Sequence, residues 1–173
     1  MEKLYELFPD SARDLKLNLQ HVLKQAELTP QQTWGTAVAC ALASRNQRVT
    51  GEVLAEAGRH LTPEALNAAY SAAAIMGMNN IYYRFQHLSG NERYKEIPAR
   101  LRMQSIRNHG ADPVDFELWC LAVSAINGCG VCITSHEGVL REKGVTEETI
   151  LAAIRIASVI HGAACVIDAV PAA

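Results

Sequence analysis

Leu61-Thr62-Pro63-Glu64-Ala65-Leu66-Asn67-Ala68-Ala69 carries the marks of a helix start: a threonine to cap it, a proline at its first position and an acid beside the positive end of its dipole. Val145-Thr146-Glu147-Glu148-Thr149-Ile150-Leu151-Ala152-Ala153 parallels it at a shift of 84. The segments before each stretch match as well, since at a shift of 85 Trp34, Ala37 and Val38 fall on Trp119, Ala122 and Val123. A unit of about 85 residues is too long for a solenoid repeat. It points to an internal, pseudo-symmetric duplication around one core. Continuing the register sets Ser44 and Gln47 of the first copy against Cys129 and Cys132 of the second, so thiol chemistry belongs to the second copy alone.

The remaining segments agree with an all-α fold in a single domain, with repeat-like halves over about 30–90 and 114–170. Alanine, leucine and glutamate dominate and β-branched runs are short. A first helix is expected from Ser11 to about Gln25, and a second from Pro30 through Trp34, Val38 and Leu42. The helix opened by Thr62 reaches roughly Phe85, and Ser89-Gly90-Asn91 supplies the turn after it. Pro98 precedes a short helix that stops at Asn108-His109-Gly110. Pro113 or Val114 begins a helix carrying Glu117 and Trp119, halted by Asn127-Gly128. A helix with the cysteine pair ends at Lys143-Gly144, and Thr146 caps the last one.

At 173 residues the chain suits one domain with a real core. Sixteen basic and eighteen acidic side chains give a net charge of -2, with no basic block to track a phosphate backbone, so nucleic acid is not an expected partner. The start, Met1-Glu2-Lys3-Leu4-Tyr5-Glu6, lacks the apolar run of a signal peptide. The longest apolar stretch, Ile150 to Val170, is interrupted by Arg155, His161 and Asp168. A soluble cytoplasmic protein without membrane contact is expected. Five cysteines form an odd set without framework spacing, which argues for free thiols plus one redox or metal pair.

That pair is Cys129 and Cys132, in Asn127-Gly128-Cys129-Gly130-Val131-Cys132-Ile133-Thr134-Ser135-His136. On a helix running from about Cys129, the step of ~100° per residue gathers Cys129, Cys132 and His136 into one stripe. His136 is then the i,i+4 neighbour of Cys132, placed to take its proton, while the helix start favours the thiolate. Packing suits Cys40, Cys120 and Cys165, each among alanine, valine or leucine, but leaves the glycines and histidine around the pair unexplained. A zinc site would have only Cys129, Cys132 and His136, with no second pair to supply a fourth ligand. A redox dithiol is the leading account. Glu117 has two readings: a carboxylate folded back through the Asn127-Gly128 turn to orient His136, or a helix-start acid on the dipole. His161 reads as a satisfied core histidine. Asn79, Asn80, Tyr82 and Tyr83 read as a buried polar network or an interface.

Phe116-Glu117-Leu118-Trp119, Ala122 to Cys129, Cys132 and His136-Glu137 resemble the alkyl hydroperoxidase D (AhpD) family. Leu15-Lys16-Leu17-Asn18-Leu19, Ala73 to Asn80 and Leu101-Arg102-Met103 extend the resemblance over nearly the whole chain. It implies a duplicated helical fold, assembly as a homotrimer and a dithiol that reduces alkyl hydroperoxides and re-reduces an AhpC-type peroxiredoxin. The implied electron source is a lipoyl group on a dihydrolipoamide acyltransferase, kept reduced by dihydrolipoamide dehydrogenase with NADH; no bound cofactor or metal is implied. By position, Cys132 corresponds to the peroxidatic thiol that passes through a sulfenic acid. Cys129 corresponds to the thiol that donates a proton and closes the disulfide, and Glu117 with His136 to the proton relay. Thioredoxin logic would instead make Cys129 the low-pKa sulfur. The chain departs from the resemblance at Val131, where relatives often carry a histidine. Three alternatives stand beside this reading: a disulfide reductase without significant peroxidase activity, a zinc-binding or structural helical oligomer, and the related carboxymuconolactone decarboxylase-like group, which does ring chemistry without a cysteine pair.

Overall fold

In a computed structural model describing residues 1–170, the described residues are helical with no strand. The elements are α1 (Glu2–Glu6), α2 (Arg13–Val22), α3 (Pro30–Ser44), α4 (Gln47–Ala57), α5 (Pro63–Leu88), α6 (Arg93–Glu96), α7 (Pro113–Ile126), α8 (Gly130–Glu142) and α9 (Glu147–Asp168). The order α3-α4-α5 recurs as α7-α8-α9. Pro30, Gln47 and Pro63 start the first set, and Pro113, Gly130 and Glu147 start the second.

Local chemistry sets these boundaries. Thr29 and Gln32 form a reciprocal capping box ahead of Pro30. Thr62 accepts from the Ala65 N–H, Thr146 from Thr149, and Asp112 from Val114 and Asp115. α3 ends on Arg45 in the left-handed region, φ 60°, and Asn46 caps α4 at once by accepting from Arg48 and Val49. α4 lies in a stretch where the sequence reading placed no element.

α3 and α7 are buried nearly all round and cross at the centre, with α9 and α5 packed over them and α2 laid on α9. The crossing is close because position 35 is glycine: a Cβ there would lie 2.2 Å from Cε2 and Cζ2 of the fully buried Trp119 ring. α9 is long and apolar enough to cross a membrane by composition, yet Ile150, Ile156, Ile160 and Ile167 are buried against the other helices. Gln31 of α3 donates to Asp115 of α7 at 2.7 Å, tying the first turns of the two central helices together.

Two expectations are corrected. The helix expected first, from Ser11, is α2: it follows the short α1, begins at Arg13 after a 3-10 turn over Asp10–Ala12, and ends at Val22 rather than near Gln25. No helix follows Pro98. Residues 97–112 are irregular apart from a 3-10 turn at Gln104–Ile106, because this polar stretch offers no continuous apolar face and Arg100 adopts φ 52°.

Candidate active site

The turn between α7 and α8 builds the site. Gly128, at φ 65°, is the left-handed residue that closes α7. Its N–H donates to Ala125 O at 3.1 Å and the Cys129 N–H to Ser124 O at 3.1 Å, the paired bonds of a Schellman ending. Arg84 of α5 donates to Asn127 O and pins the turn from outside. Cys129 therefore emerges as the N-cap of α8, and the helix starts at Gly130, one residue later than the spacing suggests. The Cys129 side chain makes no cap hydrogen bond. Cys132 sits at the third helical position, among N–H groups that have no intrahelical acceptor.

Cys129 and Cys132 are joined as a disulfide with Cα atoms 5.3 Å apart. Cys129 is fully buried, whereas Cys132 is 7% exposed and lines a cavity of about 400 Å³. Met76, Met103, Ile106, Val131 and Val139 supply apolar wall; Asn79, Tyr83, Glu117, Ser135 and His136 bring polar atoms. Asn79 is 3% exposed and its Oδ1 has no partner. Cys132 is thus the sulfur a ligand in the cavity meets.

α7 and α8 fold back through the glycine turn and bring Glu117 to His136, with Oε2 2.7 Å from Nδ1. Both side chains are largely buried, at 19% and 14% exposure, so the contact has the short length of a charge-assisted bond and little solvent screening. The other ring nitrogen is not on a cysteine sulfur. Nε2 lies 3.2 Å from Sδ of Met76 on α5. The imidazole–thiol contact suggested by i,i+4 spacing is replaced, in this disulfide form, by a histidine held between a carboxylate and a thioether.

Behind Met76 runs a buried polar chain. Ser124 Oγ donates to Sδ at 3.5 Å, Asn80 Nδ2 donates to Ser124 Oγ at 2.9 Å, and Asn127 Nδ2 donates to Asn80 Oδ1 at 2.9 Å. Asn80 thus belongs to a network, Asn79 and Tyr83 to the cavity, and Tyr82 accepts from Gln86. Met76, Ser124, Met103 and Ile106 were not singled out from sequence. The one available signal was a pair of asparagines in the apolar run of α5.

The other cysteines divide. Cys40 and Cys120 are buried, and burial pushes both thiols well above their ordinary value, with the Glu117 charge adding at Cys120. Cys165 is exposed, contrary to its reading as packing, and its Sγ lies 3.7 Å from His161 Nε2. His161 is likewise exposed rather than core, with Nδ1 3.3 Å from Ser44 Oγ. No group of three or more His, Cys, Asp or Glu side chains among the described residues is arranged to hold a metal ion.

Fold and site define a class: an all-helical protein with a recurring three-helix order and one C-x-x-C pair at a helix start, backed by a histidine–carboxylate pair. The model of the carboxymuconolactone decarboxylase family matches residues 92–173, the part that carries the cysteine pair. A relative from Solibacter usitatus, called alkyl hydroperoxide reductase AhpD, is 64% identical over 168 residues, covering 97% of this chain and 95% of its own length. Proteins of the same name from Acidobacterium capsulatum and Brucella canis are 58% and 53% identical, each over 98% of this chain and 93% and 97% of their own. The chain belongs to the AhpD family.

Proposed function

We propose that this protein is an antioxidant alkyl hydroperoxide reductase that works through the Cys129–Cys132 dithiol. The observation that carries the reading is the placement of Cys132: a helix-start sulfur opening into a mostly apolar cavity that also holds the His136–Glu117 pair. The names of the relatives support the substrate class.

In the reduced protein the Cys132 thiol passes its proton to His136, whose charge Glu117 offsets, and the N–H groups at the start of α8 favour the thiolate. The thiolate attacks the terminal peroxide oxygen; the S–O bond forms as the O–O bond breaks, and the leaving alkoxide takes the proton from His136. Cys132 is then a sulfenic acid, and the Cys129 thiol condenses with it, releasing water and closing the disulfide. Burial of Cys129 beneath Cys132 suits it to that resolving role and not to first attack.

Reopening the disulfide takes a dithiol. We assign this to a lipoyl group on a dihydrolipoamide acyltransferase, itself reduced by dihydrolipoamide dehydrogenase with NADH, and assign to the protein a further role in re-reducing an AhpC-type peroxiredoxin. No resident metal or organic cofactor takes part in this scheme. Assembly as a homotrimer would cover exposed apolar side chains such as Ile81, Phe85, Leu88 and Ile97.

A second reading has its own observation. Val131 stands at the cavity wall, 41% exposed, and brings no proton-transfer group where relatives often have histidine, which favours thiol exchange over direct peroxide reduction. One assay separates the two: NADH oxidation with dihydrolipoamide dehydrogenase and a lipoylated carrier, with alkyl hydroperoxide, with and without AhpC. Turnover without AhpC that is lost in Cys129→Ser and Cys132→Ser supports the peroxidase. Turnover only with AhpC makes the protein a disulfide reductase, and no turnover in either arm overturns both.

A further inference from the structure

We propose that Met76 is the positioning residue of this site: its thioether accepts the Nε2–H of His136 in the disulfide form and holds a proton ready for Cys132. The inference rests on the dithiol reading above and adds a residue to it.

The geometry fixes where hydrogens must be. Nδ1 of His136 is 2.7 Å from Glu117 Oε2, so one proton lies between ring and carboxyl. Nε2 is 3.2 Å from Met76 Sδ, and a bare nitrogen lone pair facing a sulfur lone pair at that distance would be repelled. Nε2 therefore carries a second proton, and the Glu117–His136 pair is loaded. The titratable groups that line the cavity with the ring are Glu117 from α7 and Tyr83 from α5, joined by Cys132 of its own helix once the disulfide is opened. From the segment before α7, His109, stacked on Phe116, also feels the Glu117 charge, while burial lowers its own pKa.

Methionine is normally a poor choice for holding anything still, because it is long and adaptable. This one is 2% exposed, and Ser124 Oγ at 3.5 Å and Asn80 Nδ2 at 3.8 Å both donate to its sulfur. Asn80 is in turn fixed by Asn127, the residue that begins the cysteine turn. The sulfur is anchored from behind. As an acceptor it is weak. It fixes the ring without competing against a thiolate, whose charge would roughly double the strength of the hydrogen bond.

The proton is needed during reduction. The first thiolate of the donor dithiol attacks Cys132, the sulfur that reaches the cavity; a mixed disulfide forms and Cys129 leaves as a thiolate, taking up the proton that the first donor thiol released. The second donor thiol then attacks the donor's own sulfur, closing the oxidised donor, and Cys132 leaves as a thiolate. His136 turns from Sδ and protonates it, which leaves Nε2 free to take the Cys132 proton in the next turnover, and the proton released by the second donor thiol goes to solvent. The donor loses two electrons and two protons and the protein disulfide gains two electrons; the proton given to solvent balances the one that the pair takes up from solvent when the disulfide next closes.

The test compares Met76→Gln, which keeps an acceptor of similar length, with Met76→Leu, which keeps the apolar volume. The disulfide forms are studied by nitrogen NMR of the His136 ring, and their reduction by dihydrolipoamide is followed by stopped flow from pH 5 to 9. The expected result is that Met76→Gln retains both ring protons at pH 7 and reduces at close to the wild-type rate. Met76→Leu loses the Nε2–H signal at pH 7 and reduces about tenfold more slowly there, the equivalent of one lost hydrogen bond, with the wild-type rate returning at acid pH. A packing role gives the opposite order, with the leucine variant like wild type and the glutamine variant impaired, and that result overturns the proposal. If the leucine variant does not fold, loss of the second ring proton in Met76→Gln is enough to overturn it and retention supports it. Neither readout uses peroxide or AhpC, so failure of the peroxidase reading and failure of this one are seen separately.

Discussion

Replacing Glu117 with Gln tests the central pair without changing its shape. The amide oxygen can still accept from Nδ1–H of His136, so the variant removes charge and little else. The pair is short, 2.7 Å, with its side chains 19% and 14% exposed, so solvent screening takes only a modest share. Hydrogen bonds to a charged group contribute about 1.5–3 kcal/mol and neutral ones about 0.5–1.5 kcal/mol, which leaves about 1–1.5 kcal/mol favouring the protonated ring in the native protein. At about 1.4 kcal/mol per factor of ten, the reduced variant should form its Cys132 thiolate about tenfold less readily at neutral pH. The assay is the iodoacetamide alkylation rate of reduced protein, in a Cys165→Ser background because that thiol is exposed. Because Glu117 acts through the ring, adding Glu117→Gln to His136→Ala should change nothing further. A rate within twofold of wild type, or an additive double variant, would refute the relay.

Three further outcomes follow from the geometry. Gly128→Ala meets no atom closer than Arg84 Nη1 at 4.0 Å, so its cost is conformational: roughly 1–2 kcal/mol for a left-handed alanine, read as a lower urea midpoint together with slower disulfide closure. Gly35→Ala drives a Cβ to 2.2 Å from the Trp119 ring, so α3 and α7 must part or the ring must leave the core; a loss of about 1–3 kcal/mol is expected, and less than 0.5 kcal/mol would show that the crossing is loose. Cys40 and Cys120 stay protonated in the fold while their unfolded counterparts ionise near 9.0, so their contribution to stability is complete below about pH 9 and falls above it. Urea midpoints of the reduced protein should drop between pH 9 and 11, and Cys40→Ala should flatten the slope.

The readable parts of the sequence were those in which one residue fixes one local conformation. Pro30, Thr62-Pro63, Pro113 and Thr146 mark helix starts because a cap or a locked φ acts within a few residues. The fold-back of Glu117 onto His136 was one of two open readings, and Gly128 decides it by turning the chain between α7 and α8. What a neighbouring helix brings was not readable. Met76 reaches His136 only because α5 crosses behind α7 and α8, a contact between residues 60 apart in sequence. His161 and Cys165 were misjudged for a different reason. Their neighbours are apolar, but helical phase puts both on the exposed stripe of Leu151, Arg155, Ser158 and Asp168. Taking phase from Arg155 and Asp168 would have placed them correctly.

The recurring helix order shows what the dithiol displaced. Asn46, and not Ser44 as the 85-residue register implies, stands at the place of Cys129, each the N-cap of the middle helix of its set, because the cap follows Trp119 two residues sooner than it follows Trp34. Asn46 satisfies the start of α4 by accepting two backbone hydrogen bonds, whereas the Cys129 side chain gives α8 none and leaves its first N–H groups without a side-chain cap. The local stability of a cap, typically about 1 kcal/mol, is exchanged there for a helix end that can favour a thiolate. Serine is nearly the size of cysteine and is a good cap. Cys129→Ser should therefore unfold at a higher urea concentration than reduced wild type, by the equivalent of about 0.5–2 kcal/mol, while losing the disulfide altogether. An unchanged midpoint would mean that the start of α8 is already satisfied by other groups, and the helix-end account of Cys132 reactivity would lose its basis.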